Sequence, residues 1–332
     1  MNKTDQPILE VKDLHTKFFV SRNLEVHAVR GINFTLNKGE IMGLVGESGS
    51  GKSVTARSLM RLVPAPGRIV DGIIRFRDTN LLDLTNKKMR LYRGRHIAMI
   101  FQNPMSSLNP VHKVGEQLTE ALLVHQMLSH EKAKLRGLEL LEMVGIADKK
   151  RRFNSFPHEL SGGMCQRVMI AMAMACKPSL LIADEATTAL DVTIQRQILT
   201  LLKDICMETG TSMILITHDM SIVAETCRSV AVMYAGEIVE KANVAEIFSN
   251  PVHPYTQALL KAIPKKSARK QLLDVIEGHP PNLSKFIQGC AFAPRCSHKL
   301  PVCREPGPSL TILKRGNIKD SLHKVKCVLA SA

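Results

Sequence analysis

Eight consecutive residues in the first sixth of the chain have the types and order of a phosphate-binding loop. They read Gly46-Glu47-Ser48-Gly49-Ser50-Gly51-Lys52-Ser53 and match G-x-x-x-x-G-K-[ST] at every fixed position. Glycines let the backbone curl so that its N–H groups point inward at phosphate oxygens, and a helix start adds partial positive charge. Lys52 can reach the β- and γ-phosphates of a nucleotide, and the Ser53 hydroxyl can ligate Mg²⁺. The sequence therefore predicts a nucleoside triphosphate site.

Two adjacent carboxylates could supply the hydrolytic chemistry. Asp184 and Glu185 follow the apolar run Leu180-Leu181-Ile182-Ala183, which has the length of a buried strand. At the strand end Asp184 can hold Mg²⁺, directly or through water, and Glu185 can polarise an attacking water as a general base. Such a pair alone is more often a solvated strand end, but after a phosphate loop it predicts hydrolysis.

Further residues complete an ordered set along the chain. Ser161-Gly162-Gly163-Met164 precedes a predicted helix, where Ser and Gly form either an ordinary N-cap or an anion site. The other members are Gln102, Asp191 in the Ala189-Leu190-Asp191 loop, and His218 in an Ile-Thr-His-Asp turn.

The elements that must position these residues alternate between strands and helices. We predict short strands over 8–14, 17–20, 26–29 and 31–36, and buried strands over 40–45, 180–183 and 213–217. Helices are predicted over 53–62, 162–176, 193–209 and 220–226, with a mostly helical pattern over 116–144. This order indicates a mainly parallel α/β core.

In this order the motifs resemble the ATP-binding subunit of an ABC transporter, over about residues 8–250. The dipeptide, oligopeptide and nickel importer branch is the most similar, through Ala98-Met99-Ile100-Phe101-Gln102-Asn103-Pro104, Ala189-Leu190-Asp191-Val192-Thr193 and His253-Pro254-Tyr255-Thr256-Gln257. The resemblance implies a P-loop NTPase fold with a mainly parallel core sheet, an antiparallel β subdomain and a helical subdomain at about 103–176. It implies an ATPase domain over 1–250 and a C-terminal extension over 251–332.

The resemblance also implies a role for each motif. Two ATPase subunits dimerise head to tail, and ATP on one phosphate loop is covered by the partner's Ser161, Gly162, Gly163 and Met164. Gln102 joins Ser53 and Asp184 at Mg²⁺ and senses the attacking water. His218 binds the γ-phosphate and holds Glu185, and Asp191 links the two sites. Phe19 or Phe18 stacks on adenine, and a buried core position is equally open for either ring.

Two residues depart from the family pattern. Met164 stands where the wider family usually has Gln, and Ala186 follows Glu185 where Pro is usual. The importer branch tolerates Met at the first position, and Pro at the second would only stiffen a turn. We therefore predict an active hydrolysis site.

The eight cysteines fall into two groups. Four are scattered among helical and apolar segments and are predicted to pack as small apolar side chains: Cys165, Cys176, Cys206 and Cys227. The other four, in Pro- and Gly-rich sequence, are spaced by 5, 6 and 23 residues: Cys290, Cys296, Cys303 and Cys327. None of these spacings is the C-x-x-C of a zinc ribbon. The segment resembles the extension of peptide-importer ATPases, some of which bind an iron–sulfur cluster, so a [4Fe–4S] centre is predicted, with zinc or no metal as alternatives.

Composition and charge limit the function classes. A hydrophobic content of 45% excludes wholesale disorder, and the longest apolar stretch, 168–176, is far short of the ~20 residues that span a bilayer. The polar N-terminus lacks an apolar signal core, which favours a cytosolic protein with thiols or metal ligands over disulfides. Of the net charge of +15, residues 251–332 carry +10, from 14 basic and 4 acidic side chains. Low aromatic content, 4%, weakens a nucleic-acid interpretation of that charge.

We therefore expect an ATP-hydrolysing subunit, peripheral to the cytoplasmic face of a bacterial inner membrane, that energises import of dipeptides or oligopeptides. The resemblance implies two transmembrane permease subunits, an extracytoplasmic substrate-binding protein and no nucleic acid. It also implies a second ATPase subunit, for which a heterodimer is favoured and a homodimer stays open. Import of nickel or another small solute is an alternative. A soluble ABC ATPase acting on nucleic acid is less favoured, because the chain has one phosphate loop and neither a long coiled coil nor a zinc insertion.

Overall fold

The computed structural model of the chain describes residues 7–103, 107–186, 191–263, 276–305, 310–313 and 323–331. These residues form two compact units. The carboxylate unit comprises Asp83–Ile214 with Asn37–Glu40 and the residues up to Ile8. The phosphate-loop unit comprises Leu9–Leu36, Ile41–Leu82 and the chain from Leu215 onward.

An antiparallel sheet opens the phosphate-loop unit. Its strands run in the order β2 (Leu24–Asn37), β1 (Pro7–Ser21), β4 (Gly67–Phe76) and β5 (Thr79–Asn80). The sequence predicts two short strands where β1 is continuous. A register shift between Lys12 and His15 explains the difference, because a bulge lets the strand keep pairing with β4 beyond the polar interruption.

A second group of strands in this unit carries the phosphate loop. β3 (Ile41–Val45) pairs in parallel with β9 (Ser229–Tyr234), and both are buried along their whole length, as expected of strands covered on two faces. β9 pairs antiparallel with β10 (Glu237–Asn243), and the other edge of β10 pairs antiparallel with β12 (Lys324–Val325). β12 in turn pairs antiparallel with β11 (Thr311–Ile312). The C-terminal extension thus adds strands to the sheet that holds the loop.

Within the part of the chain that the structure describes, four α-helices complete the phosphate-loop unit. They are α1 (Lys52–Leu59), α8 (Met220–Thr226), α9 (Val244–Ser249) and α10 (Pro254–Lys261). A buried cluster joins strand, helix and extension residues, among them Val232, Tyr234, Tyr255 and Phe292. The extension is therefore part of this unit's hydrophobic core.

The carboxylate unit is mostly helical. Its helices are α2 (Asn86–Tyr92), α3 (Val114–Gln126), α4 (His130–Met143), α5 (Lys149–Phe153), α6 (Gly162–Met174) and α7 (Val192–Thr209). The helical pattern predicted over 116–144 is two helices, because Met127 takes the left-handed φ of 52° and Ser129 caps α4. The strands β6 (Ile97–Ile100) and β7 (Leu180–Asp184) are parallel neighbours.

The strand β8 (Ser212–Thr217) belongs partly to each unit and is buried throughout. Parallel strands at the centre, antiparallel strands at the edge and helices between them form the α/β arrangement predicted from the sequence. Each motif residue of interest follows directly after one of these buried strands or caps a helix.

Candidate active site

The phosphate loop connects the buried strand β3 to the start of α1. Gly46 and Gly51 have φ values of 155° and 103°, conformations that residues with a side chain rarely adopt. A Cβ on Gly46 would lie 2.1 Å from the Met233 carbonyl oxygen, and one on Gly51 would lie 2.4 Å from that of Ala28. The loop is therefore curled so tightly against β2 and β9 that only glycine fits at these two positions.

Two polar side chains of the loop are arranged for a phosphate group. Lys52 is 4% exposed, and its Nζ donates to the carbonyl oxygens of Gly46 and Glu47 at 2.8 and 2.9 Å. The Ser50 hydroxyl is buried and has no hydrogen-bond partner within the described part of the chain. A buried hydroxyl without a partner is costly, so a phosphate oxygen that accepts its hydrogen bond would remove that cost. The predicted loop residues thus fit a nucleotide phosphate.

His218 is an exposed residue between β8 and α8, in the same unit as the phosphate loop. Asp219 after it caps α8, since its Oδ1 accepts from the Ser221 N–H at 2.7 Å, and its own N–H donates to Thr217 Oγ1 at 3.0 Å. These two bonds fix the turn and leave the imidazole at the surface. The predicted histidine is therefore held on a rigid turn that follows a buried strand.

The two predicted carboxylates lie at the end of β7. Asp184 is 3% exposed, whereas Glu185 is half-buried and takes a φ of 45°, the left-handed region. That backbone conformation turns the chain sharply after the buried strand, at a cost of about 1–2 kcal/mol for a residue with a side chain. Ala186, the predicted departure from the family pattern, is 2% exposed and lies in the turn that follows.

Gln102 contacts the carboxylate that the sequence predicts as the catalytic base. It follows β6, the parallel neighbour of β7, and its Nε2 donates to Glu185 Oε2 at 2.7 Å. The carboxyl ends of adjacent parallel strands meet at one sheet edge, which is why residues 83 apart in sequence touch. The structure therefore brings together two of the three residues that the sequence predicts for catalysis.

The Ser161 motif forms the N-terminus of α6. Ser161 Oγ accepts from the Met164 N–H at 3.3 Å, so it is an N-cap, and Ser161 and Gly162 are exposed. A Cβ on Gly163 would meet Ile194 Cγ2 at 3.3 Å. This helix start is thus open to solvent and shaped by glycine, as an anion site on a partner surface requires.

For the remaining predicted residues, Asp191 and the two phenylalanines, the structure shows position and exposure but does not distinguish their roles. Asp191 is exposed and occupies the N-cap position of α7 without a side-chain capping bond, while Ala189 and Leu190 lie outside the described residues. Phe18 and Phe19 are both half-buried in β1. The Phe18 ring covers Gly67, and the guanidinium of Arg68 lies 4.2 Å from the centre of the Phe19 ring. The choice between the two for adenine stacking stays a prediction.

Of the four scattered cysteines, Cys165 and Cys206 are buried as small apolar side chains would be, whereas Cys176 and Cys227 are half-buried. Burial raises the pKa of the Cys165 and Cys206 thiols. The four tail cysteines border one cavity: Cys290, Cys296, Cys303 and Cys327. Burial, and then their mutual proximity, raise the pKa of the Cys290 thiol. Within the described ranges no three His, Cys, Asp or Glu side chains are spaced to hold a metal ion.

Several residues that the sequence analysis did not single out support this region. Arg295 forms an ion pair with Glu47 of the phosphate loop, 248 residues away. Glu240 in β10 is fully buried and accepts from the Val252 and His253 N–H groups and pairs with His323 Nε2. The motif around Tyr255 is the one sequence signal near these residues. A local sequence pattern cannot predict contacts between residues 248 or 83 positions apart.

Two protein-family models match this chain. The model for "ABC transporter" matches residues 29–188, and the model for "Oligopeptide/dipeptide transporter, C-terminal region" matches residues 239–303. The chain is 52% identical to the oligopeptide transport ATP-binding protein OppD of Bacillus subtilis, over 91% of this chain and 85% of that protein. It is 50% identical to a probable peptide ABC transporter ATP-binding protein, y4tR, of Sinorhizobium fredii, over 93% of each.

A solved structure resembles the fold. It is the dimeric post-hydrolysis state of the ATP-binding cassette MJ0796 bound to ADP and Pi, with a TM-score of 0.64 and 26% identity. The match covers 71% of this chain and 98% of the cassette. The part of this chain beyond the match is about the size of the C-terminal extension.

Proposed function

This chain belongs to the family of ATP-binding proteins of peptide ABC transporters, and we propose that it drives import of dipeptides or oligopeptides. It is an ATPase with the ATP-binding cassette fold, and both the family and the fold predicted from the sequence are confirmed. One observation supports the proposal most strongly: Glu185 stands at the end of a buried strand, after Asp184, with its carboxylate held by Gln102.

The phosphate loop binds the nucleotide in this proposal. Backbone N–H groups of residues 46–53 and the start of α1 face the β- and γ-phosphates, and the Ser50 hydroxyl gains the acceptor it lacks. Lys52 leaves its two carbonyl partners for the phosphates, where its charge has the larger effect. Phe19, or Phe18, packs against the adenine.

Hydrolysis is assigned to the residues at the strand ends. Glu185 accepts a proton from the attacking water, and Gln102 orients its carboxylate. His218 contacts the γ-phosphate. Oxygen donors of Ser53, Asp184 and Gln102 suit Mg²⁺, which when bound neutralises charge on the phosphate oxygens.

A second ATPase subunit completes the site. The exposed helix start at Ser161, Gly162, Gly163 and Met164 covers the nucleotide of that partner, and Asp191 faces the junction. No helix in the described ranges is long and apolar enough to cross a membrane. We assign the spanning segments to two permease subunits, with a substrate-binding protein outside the cell and this chain at the inner face of a bacterial membrane.

The same proposal divides the chain into an ATPase domain, 1–250, with a helical subdomain at about 103–176, and an extension over 251–332. The excess positive charge of the extension suits the anionic headgroups beside a permease. Heterodimer and homodimer both satisfy the arrangement of motifs.

The four tail cysteines have the donor type of a metal centre, although in this structure they are not spaced to hold a metal ion. Their thiols border one cavity, and four thiolates are the ligand set of a [4Fe–4S] cluster or of structural zinc. Such a centre would link Cys327 to Cys290, Cys296 and Cys303, the nearest of which is separated from it by 23 residues. Its role would be structural or regulatory.

Metal analysis tests this part of the proposal. Protein purified without oxygen should contain about four iron and four sulfide per chain and absorb broadly in the visible range. A colourless protein with one zinc would exclude the cluster and keep the Cys₄ site. A colourless, metal-free and well-folded protein would exclude both.

Transport assays test the substrate. Membrane vesicles that contain this chain with its genomically adjacent permeases should accumulate labelled dipeptides or oligopeptides when ATP is supplied, and an excess of unlabelled peptide should compete. Accumulation of a nickel chelate without peptide competition would instead assign another solute. Retention of RNA or DNA in moderate salt without permease association would favour a soluble nucleic-acid ATPase.

A further inference from the structure

Glu47, the second residue of the phosphate loop, is held on three sides. Its N–H donates to the Tyr255 hydroxyl at 2.8 Å, and its carbonyl accepts from Lys52 Nζ at 2.9 Å. Its carboxylate pairs with Arg295 through two parallel bonds, Nη1 to Oε2 at 2.8 Å and Nη2 to Oε1 at 3.1 Å. Paired bonds of this kind fix orientation as well as distance.

The Arg295 guanidinium makes five hydrogen bonds and is nearly buried, with its side chain 6% exposed. Besides the two to Glu47, Nη1 donates to the Tyr234 hydroxyl, Nη2 to the Ile276 carbonyl and Nε to the Glu277 carbonyl, at 3.2, 3.1 and 2.9 Å. An arginine has five N–H groups, so every donor is used. A lysine has three donors from a single atom and could not reproduce this set.

Arg295 belongs to the C-terminal extension and not to the ordered set of ATPase motifs in residues 46–218. It ends a short turn, Ala293–Arg295, and directly precedes Cys296. The turn is anchored by Phe292, which is 3% exposed and packs edge-on against Tyr234 at 5.2 Å and against Tyr255 at 5.4 Å between ring centres. Packing of Phe292 against these two rings therefore fixes the position of the turn that places Arg295 beside the phosphate loop.

We propose that Arg295 is a positioning residue for nucleotide binding, acting through Glu47. When Lys52 moves to the phosphates, the Gly46 and Glu47 carbonyls lose their shared donor, and the loop keeps its curvature because Arg295 and Tyr255 still hold Glu47. Arg295 also offsets the Glu47 carboxylate, whose negative charge would otherwise lie in a loop built for phosphates. The inference rests on nucleotide binding at this loop, and it makes the extension a determinant of ATP affinity.

The alternative is that the ion pair only fastens the extension to the phosphate-loop unit. A fastening contact would change the free energy of unfolding and leave the affinity of the folded protein for nucleotide unchanged. A positioning contact would change the dissociation constant for MgADP and the KM for ATP, with a smaller effect on kcat. The two roles are therefore separated by measurements on folded protein.

The test uses the full-length chain and titration calorimetry with MgADP, together with KM and kcat for ATP. Arg295→Met keeps an unbranched apolar stem and removes all five donors, and we expect it to weaken MgADP binding on the order of 10-fold. Glu47→Gln leaves the extension intact, and we expect a smaller loss. The double variant should bind no more weakly than Arg295→Met, because both changes act on one contact.

Lys326→Met is the matched control. Lys326 also joins the extension to the sheet, through an ion pair with Glu237 of β10 at 2.7 Å, and neither residue belongs to the phosphate loop. We expect it to leave the affinity for MgADP unchanged. Arg295→Lys should recover little of the lost affinity, since only one of the two parallel bonds to Glu47 can be remade.

Three results would overturn the inference: unchanged affinity in folded Arg295→Met, losses in the two single variants that add in the double variant, or an equal loss in Lys326→Met. If Arg295→Met does not fold, the affinity of Glu47→Gln for MgADP is the test, and an unchanged affinity in that variant overturns the inference. Failure of the unaltered chain to bind MgADP would instead contradict the proposed function.

Discussion

At the scale of single residues, two positions of the candidate site take backbone conformations that residues with a side chain rarely adopt. Glu185 takes a left-handed φ of 45°, which costs free energy for a residue with a Cβ, and its carboxylate contacts Gln102. Gly51 takes a φ of 103°, which glycine adopts without strain, whereas a Cβ there would collide with a backbone carbonyl. Glycine at this position therefore lets the phosphate loop curl.

Removal of the Gln102 amide should slow hydrolysis more than it weakens nucleotide binding. In Gln102→Ala, Glu185 loses the hydrogen bond of 2.7 Å that orients its carboxylate, and we expect kcat to fall about 10-fold, with a smaller loss of affinity for MgADP from the missing Mg²⁺ donor. Phosphate release and calorimetry measure the two quantities. Asn103→Ala truncates the neighbouring exposed amide as a control, and an equal fall in both variants would contradict the assignment.

Gly51→Ala should be severe. The added Cβ would lie 2.4 Å from the Ala28 oxygen and 2.8 Å from Met233 Cε, so we expect about 3 kcal/mol lower free energy of unfolding and loss of nucleotide binding. Gly39→Ala is the control: its φ of 72° is also left-handed, but nothing lies within 4 Å of the added atom. It should cost about 1 kcal/mol in urea unfolding, and equal losses would argue against the clash.

The residues that could be predicted from the sequence were those in local motifs. The phosphate loop, Asp184, Glu185 and the Ser161 helix start carry their signals within a few consecutive residues, and the structure places each on the expected element. Arg295 could not be paired with Glu47 in this way, because their contact depends on tertiary packing of segments 248 residues apart.

At the scale of elements, one buried carboxylate ties three segments together. Glu240 of β10 is fully buried and accepts from the N–H groups of Val252 and His253, at 2.8 and 3.0 Å, and pairs with His323 Nε2 at 2.7 Å. Burial alone would raise the pKa of Glu240, but the bonds from His323 and the two backbone groups hold it below its ordinary value. This carboxylate fastens α10 and the β12 segment to the sheet.

His253, which caps α10, should make stability fall in mild acid. Burial lowers its pKa from 6.5 to about 4, so between these values the unfolded chain binds a proton that the folded chain does not. Stability therefore decreases as the pH falls through this window, by about 2 kcal/mol from pH 7.5 to pH 5 for this group alone.

His253→Asn tests that prediction. Asn can accept the same capping bond from the Tyr255 N–H, and it does not titrate. Urea unfolding at pH 7.5 and pH 5 should show a smaller acid loss in the variant than in the unaltered chain. The same loss in both proteins would assign the effect to other groups, such as His27, whose pKa burial also lowers to about 4.

The type and order of the elements could largely be predicted, but their continuity could not. Strand β1 runs through a polar interruption because a bulge preserves its pairing, and the helical region after residue 113 breaks at Met127. Both outcomes depend on neighbouring elements, which hydrophobic periodicity does not report. The short pairings of β12 with β10 and of β11 with β12 lack a sequence signal for the same reason.

At the scale of the whole molecule, residues 251–332 carry an excess charge of +10, and one of their cations, Arg295, is nearly buried. Arg295 neutralises a carboxylate of the phosphate loop, and a Cys₄ centre of about −2 would offset further positive charge. The charge that first raises the possibility of nucleic acid is thus matched partly by groups within the protein. The remainder suits an anionic membrane surface beside the permeases.

The account as a whole depends on whether hydrolysis by this chain drives peptide import. The most direct measurement is the initial rate of ATP-dependent uptake of a labelled peptide into vesicles that contain the complete transporter, with the unaltered chain or with Glu185→Gln. We predict that Glu185→Gln retains ATP binding and loses nearly all uptake and phosphate release, because the base that activates water is gone. Uptake at an unchanged rate in that variant would contradict the account.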